Sequence, residues 1–179
     1  MFKRLITALV LSLSFNSEAA ATIPSGFVRI GASCGVPPVA LYAVALTETE
    51  TGLRNGDSSV WPHSINWNGR SYHFKNRKDT YIFAQNLIAQ GHTLFDVGIM
   101  QVNWRWHKDR VSSLWELTDT ETNIRTACEI MGEGYQARRN WVSAAGYYHA
   151  PNNATNANKY MKKFNAKLNR LLKQQDLSK

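Results

Sequence analysis

Glu48 and Glu50 close an apolar run, Leu41-Tyr42-Ala43-Val44-Ala45-Leu46-Thr47, just ahead of Thr51-Gly52. A carboxyl in such a place can act as a proton donor near neutral pH, because apolar surroundings disfavour its charged form and raise its pKa. Leu41, Val44, Ala45 and Glu48 fall at i, i+3, i+4 and i+7, so a helical register turns Glu48 toward the core side. Glu50 follows the apolar Leu46 at the same i+4 spacing and stays eligible, although the register favours Glu48. An acid at a helix C-terminal end is opposed by the helix dipole, which argues mildly for a use that offsets the cost.

Two later stretches hold groups that suit a polar ligand. In Asp96-Val97-Gly98-Ile99-Met100-Gln101-Val102-Asn103, Gly98 lets backbone approach a ligand closely, and Gln101 and Asn103 offer amides matched to sugar hydroxyls and N-acetyl groups. In Ala144-Ala145-Gly146-Tyr147-Tyr148-His149, one tyrosine is expected in the core and the other to present its hydroxyl to a carboxyl or an N-acetyl group. His149, alone of its kind there, reads as structural. Asp57 and Asp96 are the candidates for a second carboxylate. Trp61, Trp67, Trp104 and Trp106 surround these stretches, and spacing singles out none of them as a sugar platform. Two cysteines without clustered histidines give no zinc site, and no metal or organic cofactor is expected.

The elements that must position these groups are legible in outline. Pro37-Pro38 suits the first turn of a helix that carries Leu41 to Glu48 and stops near Gly52 and Asn55-Gly56. Ser64 to Trp67 and Arg70 to Phe74 flank Asn68-Gly69, the pattern of a two-stranded hairpin. Tyr81, Phe83, Ala84, Leu87 and Ile88 predict a helix over about 77–90. Asp96 to Asn103 reads as a loop. Thr118-Asp119-Thr120-Glu121 has the spacing of a capping box opening a helix with Ile124, Ala127, Cys128 and Met131. Helices are expected over Trp141 to Tyr148 and at the C-terminus, where Tyr160, Phe164, Leu168 and Leu171 face away from lysines and Arg170. The fold class expected is α+β, one mainly helical domain over residues 22–179 with a small hairpin.

Lys3-Arg4, the apolar stretch Leu5 to Phe15 and Ala19-Ala20-Ala21 have the form of a signal peptide, with cleavage expected after Ala21. The apolar stretch is shorter than the ~20 residues a membrane span needs, so no stable membrane anchor is expected. Export to a periplasmic location would favour pairing of Cys34 with Cys128. With 21 Lys and Arg against 13 Asp and Glu, the formal charge is +8. For an exported chain that charge points to an acidic envelope polymer, and nucleic acid is not expected as a partner.

Taken together and in order, these stretches resemble the lytic transglycosylases, in the soluble, lysozyme-like domain of the small exported type associated with conjugation, pilus and secretion machines. The resemblance covers about Cys34 to Tyr160. The usual Gly-Leu-Met-Gln motif matches Gly98-Ile99-Met100-Gln101, and the Ala-rich helix ending Tyr-Asn or Tyr-His matches Ala144 to His149 and points to Tyr148. The acid is usually followed by Ser and often Gly; here Thr49-Glu50-Thr51-Gly52 follows Glu48. Read forward from the helix the motif places the acid at Glu48, and read backward from Gly52 it places it at Glu50. The resemblance implies a lysozyme-like fold, peptidoglycan glycan strands as substrate, and a single glutamate that forms 1,6-anhydroMurNAc ends. It implies substrate contacts at Gly98, Met100, Gln101, Asn103 and Tyr148, with components of a secretion, conjugation or pilus apparatus as partners. The rival readings are a hydrolytic muramidase using Asp57 or Asp96, and a non-catalytic wall-binding assembly factor.

Overall fold

The computed structural model describes residues 22–52 and 58–176, without the side chains of 50–52 and 58. The expected signal peptide, Asp57 and the Glu50 side chain therefore lie outside the described part. The chain is a mainly helical α+β protein, as its residue pattern predicts. Its helices are α1 (Ser25–Cys34), α2 (Pro38–Thr49), α3 (Arg77–Ala89), α4 (Trp104–His107), α5 (Leu114–Leu117), α6 (Thr120–Arg138), α7 (Trp141–His149) and α8 (Ala154–Asp176). Its strands are β1 (Glu50–Gly52), β2 (Ser58–Val60), β3 (Ser64–Trp67), β4 (Arg70–His73), β5 (Phe95–Val97) and β6 (Val102–Asn103).

Helix α2 is the organising element. Ala40, Leu41, Ala43, Val44, Ala45, Leu46 and Thr49 are all buried, so it is covered on nearly every side and not on the single face the spacing suggested. Helices α1 and α8 pack against it. α1 was not anticipated: Phe27 and Ile30 bury one face of it, but its Gly, Ser and Arg content masks the periodicity. The Cys34–Cys128 disulfide joins its last residue to α6 across 94 positions. In the chain-entropy picture, closing a loop that long stabilises by roughly 4–5 kcal/mol.

The expected hairpin forms at β3 and β4, with Asn68 and Gly69 both at positive φ as a tight turn requires. It is half of a larger unit. The sheet order is β4-β3-β5-β6, all antiparallel, and Val97 pairs with both Ile65 and Val102. The stretch 96–103, expected as a loop, is thus a second hairpin whose strands are too short to show alternation. A separate pair, β1 with β2, follows α2 directly, so the chain is already extended at Glu50.

Helix α6 begins where expected, but Asp119 caps it by accepting from the Thr122 N–H at 3.0 Å. Thr118 instead donates to the Trp115 carbonyl, and Glu121 pairs with Arg29 of α1. The cap is therefore one residue later than the box spacing indicates. Among the described residues no single helix is long and apolar enough to cross a membrane.

Candidate active site

The C-terminal end of α2, the β5–β6 hairpin and the end of α7 meet at a cleft of about 710 Å³. Its lining includes Glu48, Asp96, Gln101, Asn103, Tyr148 and His149. Glu48 sits in the last turn of α2 with only 14% of its side chain exposed. Burial pushes its carboxyl up to about 8, outweighing the smaller effects of its neighbours. Among these, Tyr160 and Lys163 pull the value down and Asp96 pushes it up. At neutral pH the group therefore carries a proton, which is the state a general acid needs.

His149 Nδ1 lies 3.9 Å from Glu48 Oε1, and its ring stacks on Tyr160 with centroids 4.4 Å apart. Burial, helped by Lys163, lowers the imidazole pKa, so a neutral histidine faces a protonated acid and the two form no ion pair near neutrality. Tyr160 is buried to 5% exposure, and its hydroxyl makes no hydrogen bond of good geometry. It nevertheless stands close enough to the carboxyl to favour the ionised form by donating toward it.

The opposite wall is built from hydrogen bonds. Gly98 adopts φ +81°, and a Cβ there would stand 2.7 Å from the Asn123 side chain. Asn123 accepts from the Met100 N–H at 2.9 Å and donates to the carbonyls of Val97 and Leu117 at 2.9 and 3.1 Å. Tyr148 donates to the Met100 carbonyl at 2.6 Å, and the Thr49 hydroxyl lies 3.0 Å from the Ile99 carbonyl. Both contacts anchor this turn to the helices. Gln101, at φ +50°, donates to the Gly98 carbonyl at 2.7 Å and to Ser64 Oγ at 3.0 Å. Asn103 donates to Asp96 Oδ1 at 2.7 Å across the hairpin, while its own carbonyl oxygen is buried without a partner. Burial raises the Asp96 pKa, and the Asn103 amide holds it partway back.

The residues singled out from sequence divide into two sets. Glu48, Asp96, Gln101, Asn103 and Tyr148 come together on the cleft. Gly98 and Met100 do not line it: Met100 is fully buried, and Gly98 packs on Asn123 beneath the turn. These two shape the wall from behind. His149, read as structural, lines the cleft beside the acid.

Sequence reasoning passed over Asn123 and Leu94, gave Tyr160 only a place in the core, and left Trp106 undecided among four tryptophans. Asn123 lies on the buried stripe of α6, and Tyr160 on that of α8. A polar group on such a stripe needs a partner, and that was the available signal. Leu94 and Trp106 stand at the rim with 56% and 69% exposure. Of the other tryptophans, Trp61 donates to the Phe74 carbonyl and Trp67 packs beside His92, both away from the cleft. Farther along the cleft, Arg110 holds Glu133 through two hydrogen bonds of 2.8 and 2.9 Å. Among the described residues no group of three or more His, Cys, Asp or Glu is placed to hold a metal ion.

Fold and site together define a mainly helical α+β domain with a protonated carboxyl at an amide-lined cleft. No family model, curated protein or solved structure matches the chain.

Proposed function

We propose that the protein is an exported peptidoglycan lytic transglycosylase that cleaves the β-1,4 bond between MurNAc and GlcNAc. The observation that carries this reading is Glu48, a carboxyl held up to about 8 by burial and set at the wall of an open cleft. Gln101 and Asn103 line the same cleft, and a sugar there would meet the polar capacity that their bonds to Gly98, Ser64 and Asp96 leave open. In this reading Glu48 gives its proton to the leaving glycosidic oxygen. The carboxylate that results takes the proton of the sugar's own C6 hydroxyl, whose oxygen closes on C1. The acid is thereby restored, and a 1,6-anhydro end forms without water. Tyr160 is placed to donate to Glu48 during the interval in which it is charged. The setting is the periplasm, and opening the wall for a secretion, conjugation or pilus apparatus is the task that follows from the resemblance.

A second reading is favoured by one observation: Asp96 lines the same cleft and acts electrostatically on Glu48. A retaining hydrolase needs such a second carboxylate at ~5–5.5 Å from the first. Mass spectrometry of sacculi digested by the protein separates the two. Fragments one water lighter than hydrolysis products support the lyase, and water-added fragments support the hydrolase. Absence of fragments from a folded protein would sink both and favour a wall-binding role.

A further inference from the structure

Helix α8 carries six cations, Lys159, Lys162, Lys163, Lys167, Arg170 and Lys173, and one acid, Asp176. Five of the eight net positive charges of the chain thus sit on one helix. At 100° per residue Lys159, Lys162, Lys163 and Lys173 fall within one arc of about 100°, away from the stripe of Tyr160, Phe164 and Leu171 that packs into the core, whereas Lys167 borders that stripe. Lys159, Lys162, Lys163, Arg170 and Lys173 are exposed. Several stand three or four positions apart, as Lys159 does from Lys162 and Lys163, a spacing at which like charges weaken a helix. Lys159, Lys162, Lys163 and Lys173 thus present one exposed positive face, which an anionic partner complements.

The arc begins near the cleft. Asn152 and Asn153, which line it, immediately precede α8, and Lys163 acts electrostatically on both Glu48 and His149. From Lys159 to Lys173 the charges extend about 21 Å along the helix axis.

We propose that this face of α8 is a binding track for a carboxylate-bearing polymer, continuous with the cleft, on which an acidic strand lies while another part of it occupies the cleft. Given the function proposed above, the strand is peptidoglycan and the anions are carboxylates of its peptide stems. Continuity with the cleft favours the cleft's own substrate over a membrane surface, which would need no such junction.

The test is cosedimentation with purified sacculi, using the full chain carrying Glu48→Gln so that nothing is digested. The same chain with Lys159→Gln, Lys162→Gln and Lys173→Gln is expected to bind about 5–10-fold more weakly at low salt, the sum of three exposed ion pairs. That difference should close near 0.5 M salt, where screening reaches only about 4 Å. Sacculi whose carboxyls have been amidated should bind both proteins alike and weakly. The comparison of native with amidated sacculi needs no lysine change, so it stands even if the triple variant folds poorly. Equal binding of the Glu48→Gln chain to native and amidated sacculi would overturn the proposal. So would a larger loss on vesicles rich in anionic phospholipid than on sacculi. If the protein proves not to cleave glycan but still prefers native sacculi, the catalytic reading fails and the track remains.

Discussion

The two walls of the cleft are built on opposite principles. On the helical wall, Glu48 is desolvated by burial and Tyr160 keeps an unbonded hydroxyl beside it. On the hairpin wall the side-chain donors are engaged: Asn123 uses both ends of its amide, Gln101 closes on Gly98 and Ser64, and Asn103 holds Asp96, with only the Asn103 carbonyl oxygen buried without a partner. Incomplete satisfaction is costly in a buried site and is tolerated where a charge must appear and vanish. A set of engaged donors suits a wall whose task is to keep its shape. Under the function proposed above, reactivity belongs to the helical wall and geometry to the hairpin wall.

The largest effect expected is from Glu48→Gln. Loss of the proton donor should cut glycan cleavage by ~10³-fold, measured as release of soluble fragments from sacculi, with binding retained. The same substitution reports on stability. The folded protein keeps the Glu48 proton up to about 8, whereas the unfolded chain releases it near the ordinary 4.5. Between those values the native state binds the extra proton, so stability falls as pH rises through that window. Glu48→Gln removes the loss. The variant should exceed the original protein by on the order of 5 kcal/mol at pH 9 and match it at pH 4, read from denaturant melts. Equal pH dependence in both proteins would remove the case for a buried, protonated acid.

Asn123→Ala tests the other wall. It strands the Met100 N–H and the carbonyls of Val97 and Leu117 in the interior. A loss of about 3 kcal/mol is expected, and because the wall loses its shape the damage should reach cleavage too. If activity survives at a temperature where the variant is folded, the hairpin wall is less important than its bonding implies.

Tyr160→Phe should act on the pH axis. The hydroxyl holds the Glu48 pKa down, so removing it should move the alkaline limb of the activity profile upward by about one unit. Melting at low pH should hardly change, since Glu48 is then protonated and the hydroxyl has no carboxylate charge to favour. A downward shift would contradict donation toward the carboxylate.

How much of this was legible in sequence follows from the range of the forces involved. Local signals were dependable: the Asn68-Gly69 turn and the Pro38 start of α2 are set by neighbours in the chain, whereas the one-faced register of Leu41, Val44 and Ala45 missed that α2 is buried on nearly every side. The four-stranded sheet was hidden because β5 and β6 are too short to alternate and gain their identity only by pairing with β3. The motif 98–101 was visible, but the division of labour within it was not. Met100 and Gly98 face Asn123 and the core while Gln101 faces the cleft, and that choice depends on a helix more than twenty residues later. Tyr160 showed the same limit, since its position on an apolar stripe predicts burial and says nothing of which acid it will meet.

The smallest effect is expected at the point where the two walls touch electrostatically, and it is the one that discriminates most sharply. Asp96 raises the Glu48 pKa from across the cleft, while its own oxygen is tied to Asn103. If its role is to brace the hairpin and add charge, Asp96→Asn should lower cleavage by about threefold or less. It should also move the alkaline limb downward by a few tenths of a unit, opposite in sign to Tyr160→Phe. If Asp96 is instead the nucleophile of a retaining hydrolase, the same change should cost ~10³-fold, because the covalent intermediate cannot form. A small loss with a downward shift leaves the hairpin wall a geometric support for a single-acid reaction. A large loss would place chemistry on both walls and replace the lyase with a lysozyme-type mechanism.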